Sequence, residues 1–166
     1  MPWVDGAVRD PALHRAYTEV HGLADWSPWV PMETAMAGAP REPGVYLLRE
    51  PLSGVIRHVG MAGDRAGGGR PQGLRGRLSA YRGGKGAVSG FGEAALDRAL
   101  ADEQWVEQQL EHLRRHGPQP TRDWVRDAVA RLDLEVSLVT CADRQDAVYL
   151  EGQVVLLLRT RGLWGR

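Results

Sequence analysis

Two short runs, Gly44-Val45-Tyr46-Leu47-Leu48-Arg49 and Val55-Ile56-Arg57-His58-Val59-Gly60, flank the connection Glu50-Pro51-Leu52-Ser53-Gly54. Both runs are strand-like in composition, and the proline and glycine between them turn the chain back, so the pair reads as an antiparallel hairpin. A hairpin alone is marginal in water. With Arg49 paired to Val55, Tyr46 falls directly opposite His58 on one face. That register brings a hydroxyl and an imidazole within reach of one small ligand. The same pair also fits ordinary cross-strand packing.

The segments on either side supply the cover. Asp10-Pro11 has the form of an N-cap followed by proline at the first helical position, opening a helix through about Val20. Trp26-Ser27-Pro28-Trp29-Val30-Pro31 is excluded from helix by its prolines and reads as a connection whose tryptophans are packing anchors. Residues 1–40 thus form a helical and aromatic lead-in. After a glycine-rich loop over 61–70, a helix near Gln72 places Leu74, Leu78 and Tyr81 on one face, with Arg77 and Tyr81 four apart on one side. Further helices are expected over 93–101, over 103–116 with Val106, Leu110 and Leu113 buried, and over 121–131 with Thr121 as cap and Trp124, Val125 and Ala128 buried. Leu134, Val136 and Leu138 alternate as a third strand. His112 and His116 have metal-binding spacing, but no third ligand accompanies them, which favours a solvated helix end.

The formal net charge is zero, yet the charges are unevenly placed. Residues 57–85 hold seven basic side chains against one acid; residues 1–56 hold four against seven, and residues 86–166 ten against thirteen. Arg57, Arg65, Arg70, Arg75, Arg77, Arg82 and Lys85 therefore form a local excess along a glycine-rich stretch, suited to a phosphate backbone. Gly84-Lys85-Gly86 lacks the hydroxyl of a phosphate-binding loop, so a nucleotide cofactor is not expected. One cysteine, Cys141, excludes an internal disulfide and reads as a buried residue at a strand end. No run is apolar enough to span a bilayer, and Met1-Pro2-Trp3-Val4-Asp5 lacks the order of a signal peptide, which points to a cytoplasmic protein.

The last helix, expected from about Asp143 to Thr160, holds Glu151 on one stripe with Val148, Val155 and Leu158. An ionised carboxylate among apolar side chains is costly unless a cation or hydrogen-bond donors meet it. Glu151 is therefore a candidate for a metal or an arginine partner.

Gly44-Val45-Tyr46, His58-Val59-Gly60, Gly73-Leu74-Arg75-Gly76-Arg77-Leu78-Ser79-Ala80-Tyr81 and the helix of Glu151 ending in Gly162-Leu163-Trp164-Gly165-Arg166 occur in the order found in the GIY-YIG nuclease family, which this chain resembles over about residues 41–166. The region of Tyr46 to Tyr81 is also similar to the nuclease subunit of bacterial excision repair, and the carboxy-terminal helix resembles compact stand-alone members. The resemblance implies an α+β fold: a small three-stranded antiparallel sheet flanked by helices, here with a helical insertion over 82–131. His58 stands where the family has its second motif tyrosine, Met61 where some members have lysine, and Gly165 where asparagine is common.

By that resemblance the chain is a metal-dependent endonuclease acting on DNA by a one-metal mechanism. Glu151 would hold Mg²⁺ or Mn²⁺, Arg77 would offset charge on the phosphoryl oxygens, and Tyr46, His58 and Tyr81 would complete the site. Ordinary titration near ~10 for tyrosine and ~6.5 for histidine makes His58 the better proton acceptor at neutral pH, but sequence does not decide between His58 and Tyr46. Arg57, Arg65, Arg70, Arg75, Arg82 and Lys85 would bind the nucleic acid. Target specificity would come from residues 82–131, the lead-in or a protein partner. The departures keep open a second reading, a nucleic-acid-binding or interaction module with impaired catalysis.

Overall fold

A computed structural model describes residues 3–63, 72–84 and 90–164. These residues divide into two compact units, one of residues 3–79 with 133–164 and one of residues 80–132. No helix among the described residues is long and apolar enough to cross a membrane.

The first unit is built on a sheet. Helix α1 (Pro11–His21) begins as expected, with the Asp10 carboxylate accepting from the Ala12 amide at 2.8 Å. Strand β1 (Val30–Pro31) leads into α2 (Met32–Gly38), and β2 (Gly44–Arg49) returns as β3 (Ile56–Ala62). Helix α3 (Gly73–Arg82) leaves this unit. The chain returns as β4 (Glu135–Thr140) and ends in α7 (Arg144–Leu158). Strand order is β1-β4-β2-β3, all neighbours antiparallel. The sheet has four strands where three were expected. The additional strand is Val30–Pro31, paired to Val136 and Glu135; at an edge, proline's missing N–H costs no ladder bond.

The hairpin register also differs from expectation. Arg49 pairs with Ile56, then Leu48 with His58 and Tyr46 with Gly60. Arg57 is the extra residue of a β-bulge, which displaces every later pair along β3. Tyr46 is therefore opposite Gly60, and His58 is its diagonal neighbour.

Val45, Leu47, Ile56 and Val59 form one sheet face, packed with Ala16, Tyr17 and Val20 of α1 and with Ala147, Val154 and Leu158 of α7. The other face meets α3, because a Cβ at Gly44 would press on Leu74 Cδ1 at 2.7 Å and would overlap the Val139 carbonyl. Cys141 is half-buried just past β4, and burial raises its thiol above the ordinary value, with Asp146 and Asp143 adding to the rise.

Arg49 is 3% exposed. Its Nε donates to Glu135 at 2.6 Å, its Nη2 lies 3.6 Å from Asp5, and its guanidinium sits 4.4 Å from the Trp29 ring centroid. Trp3 packs against Trp26 and Trp29 with centroids 6.0 and 5.2 Å apart, so the lead-in tryptophans are packing residues.

The second unit holds α4 (Gly90–Leu100), α5 (Glu103–His116) and α6 (Thr121–Ala130). Ala99, Trp105 and Ala128 form its core, with Leu96 and Trp124 packed on them. Asp102 caps α5 by accepting from the Trp105 amide at 3.2 Å and pairs with Arg131. Two expectations fail here. Val106 and Leu110 are exposed and Leu113 half-buried, because α5 turns Trp105 to the core instead. Thr121 is not a cap: Pro120 occupies that position with extended backbone and gives no side-chain bond. His112 and His116 are both exposed, with ring centroids 4.6 Å apart.

Candidate active site

The site grows from β2 and β3. Side chains alternate along a strand, so Tyr46, Leu48, His58 and Gly60 share the face turned from α7. Tyr46 is 1% exposed and His58 half-buried, with ring centroids 5.8 Å apart and planes inclined at 46°. Gly60 is what admits this arrangement. A Cβ there would overlap Tyr46 Cζ and Oη, so the phenol lies across β3 in space that any other residue would fill. Among the described strands β3 is the outer one, and the ring lies across it.

Gly60→Ala should therefore displace Tyr46 and destabilise the protein by about 1–3 kcal/mol, the usual range for overpacking. Urea unfolding followed by tryptophan fluorescence measures it. A midpoint equal to wild type would mean that the ring moves aside without cost.

Helix α3 is anchored by Leu74 and Leu78, both fully buried. Its entry is Gly73, whose φ of 46° is left-handed and whose missing Cβ lets the Arg41 and Glu42 carbonyls approach. The amides of Leu74 and Arg75 donate to the carbonyls of Glu42 and Pro40 at 3.0 and 2.8 Å. Those two amides are spoken for, so only side chains are left to carry positive charge at this end of the helix. Arg77 is exposed, and α3 contains three arginines and no acid. Arg75 donates to the Ala37 carbonyl at 2.9 Å, and Arg82 is exposed at the last turn. Tyr81 belongs to the second unit, where it is buried with its ring edge-on to Phe91 at 5.4 Å.

Glu151 is half-buried on α7, in line with Ala147, Val154 and Leu158, which face the core. The expected stripe is thus corrected in one member: Val148 is exposed, and Ala147 takes its place. The alternation of β2 and β3 sets Glu151 in the layer on one face of the sheet and Tyr46 with His58 on the other. Among the described residues no three His, Cys, Asp or Glu side chains converge as a metal cluster. A single half-buried carboxylate suits a hard, largely hydrated cation, whose remaining oxygens come from water and substrate.

No family model matches the chain, and no curated protein or solved structure matches it either.

Arg57, proposed above to bind phosphate, is engaged internally. Its Nη2 donates to Glu50 at 2.9 Å, its Nη1 to the Gly162 carbonyl at 3.3 Å, and its guanidinium lies 5.4 Å from the Trp164 ring centroid. The Trp164 amide in turn donates to the Arg57 carbonyl at 2.7 Å, fastening the carboxy-terminal segment to the bulge. Sequence offered one clue, an acid seven positions before the arginine, but the bulge that aims Arg57 has no signature of its own. Arg65, Arg70, Lys85 and Gly165 lie outside the described residues. The spatial demand at Gly60 was missed by sequence reasoning, although a glycine inside a strand is a general sign of close approach.

Proposed function

We propose that this chain is a metal-dependent endonuclease of the GIY-YIG type, hydrolysing phosphodiester bonds of nucleic acid, DNA foremost. The observation that supports it best is the Tyr46–His58 pair, 5.8 Å between ring centroids, on a strand whose Gly60 is kept bare beneath the phenol. Tyrosine and histidine side by side supply a hydrogen-bond donor and a proton acceptor for an attacking water. Arg77, exposed on an acid-free helix, supplies positive charge for the phosphoryl oxygens.

Glu151 is the residue that would hold Mg²⁺ or Mn²⁺. When bound, such an ion offsets phosphate charge and makes its water more acidic. On the other face of the sheet, His58 or Tyr46 would take a proton from an attacking water, and Arg77, exposed on α3, would offset charge on the phosphate.

The separation of Glu151 from Tyr46 and His58 by the sheet favours the second reading, a nucleic-acid-binding module without cleavage. One experiment separates them: supercoiled plasmid incubated with the protein in Mg²⁺, in Mn²⁺ and in chelator. The nuclease reading expects nicked and linear products with either metal and none in chelator. Plasmid that is shifted in a gel but uncut under all three conditions would establish the binding module instead.

A further inference from the structure

Arg144 is the first residue of α7, a poor place for it on structural grounds. A cation in the first turn opposes the helix dipole, whose positive end favours acids there. Among the described residues its guanidinium makes no ion pair or hydrogen bond, although Asp143 and Asp146 are close in sequence. Asp143 commits its carboxylate to the Asp146 amide at 2.9 Å, as the cap of the helix. Asp146 is two positions on from Arg144, and at 100° per residue it projects to the opposite side.

Yet the fold makes room for this side chain. A Cβ at Gly63, one residue past β3, would lie 2.6 Å from Arg144 Cγ, 2.8 Å from its Cδ and 3.1 Å from its Cβ, and these are the three atoms nearest to it. Gly63 has no positive φ, so its backbone makes no demand for glycine. The bare position is taken by the stem of Arg144, which lies over the end of the strand while the residue stays exposed. An arginine held by its stem and unpaired at its head is suited to an anion that comes from outside, and phosphate matches its fork of donors. Arg144 and Glu151 also share one line of α7, because seven residues make two turns less about 20°, and they are about 10 Å apart along the axis. That is roughly three nucleotides of one strand at ~3.4 Å each. We propose that Arg144 binds a backbone phosphate of a nucleic acid, about three nucleotides from the phosphate nearest Glu151, so that one strand follows this line of α7. The proposal rests on the reading of the chain as a nucleic-acid-binding protein, with or without cleavage.

Fluorescence anisotropy of labelled DNA, duplex and single-stranded, tests this in chelator, where nothing is cut, across ~50 to ~300 mM salt. Arg144→Ala should weaken binding roughly 3–10-fold at ~100 mM salt and reduce the slope of log K against log salt by about one, the signature of one lost phosphate contact. Arg144→Gln, which keeps most of the stem over Gly63, should show the same loss, because the charge is what binds. Arg15→Ala, which removes an exposed arginine of α1, should leave affinity and slope unchanged. Gly63→Ala should displace the stem and weaken binding, and in the Arg144→Ala background it should add nothing further. Circular dichroism of each variant checks that the helices remain. Wild-type protein that binds neither DNA removes the nucleic-acid reading and this contact with it. If the wild type binds and Arg144→Gln matches it in affinity and slope, or Arg15→Ala falls equally, the contact alone is overturned and that reading stands.

Discussion

Glu151→Gln is expected to abolish metal-dependent cleavage while leaving the protein folded. The amide keeps the size of the side chain but removes the negative charge that would hold a divalent cation, a loss of at least about 10²-fold in rate at fixed metal concentration. The fold should survive, because the amide keeps the shape of the side chain on the line of Ala147, Val154 and Leu158. Single-turnover cleavage across a Mg²⁺ and Mn²⁺ titration, with a thermal melt on the same sample, checks both statements. Equal rates for mutant and wild type would remove Glu151 from the chemistry.

The largest stability effect should come from Arg49→Ala. Arg49 is nearly fully buried, pairs across the strands with Glu135 at 2.6 Å and reaches Asp5 and the Trp29 ring. Removing it leaves two partly buried carboxylates without their cation and the Trp29 face without a partner, which costs about 3 kcal/mol. For a chain of this length that corresponds to a fall in Tm of roughly 6–12 °C. Adding Glu135→Gln should recover part of the loss, since the stranded charge then disappears. A calorimetric Tm within a degree or two of wild type in the single variant would show that the cluster is screened by water.

The hairpin was legible because β2 and β3 are bounded by Pro51 and Gly54 and carry strand-forming residues throughout. Its register was not, because a bulge at Arg57 depends on what packs around it. The shared face of Tyr46 and His58 survived that error for a simple reason: the displacement of their pairing is two residues, the side-chain period of a strand. Strand β1 escaped notice because two residues carry no periodicity. On α7, large apolar residues point both inward and outward, so the sequence could not say that small Ala147 belongs to the core line and Val148 to the surface. The same ambiguity exposed Val106 and Leu110 of α5, where Trp105 took the inward position. The closeness of Gly60 to Tyr46 and the inward commitment of Arg57 are tertiary facts, fixed by a cross-strand neighbour and by a segment more than a hundred residues later in the chain.

The strand order has a consequence for how the chain is made. β4 lies between β1 and β2 although it is the last strand in sequence, and Arg49 and its partner Glu135 are 86 residues apart. While the ribosome is still adding α4, α5 and α6, the β2–β3 hairpin has one flank of unpaired amides and carbonyls, and β1 has no neighbour at all. Closing so long a loop is slow relative to local helix formation, although its equilibrium cost grows only logarithmically with length. A nascent chain stopped before residue 135 therefore carries an open, apolar strand edge of the kind that recruits other strands. For this protein the hazard of aggregation belongs to the interval of synthesis between Arg49 and Glu135, and it ends when β4 slots into the gap.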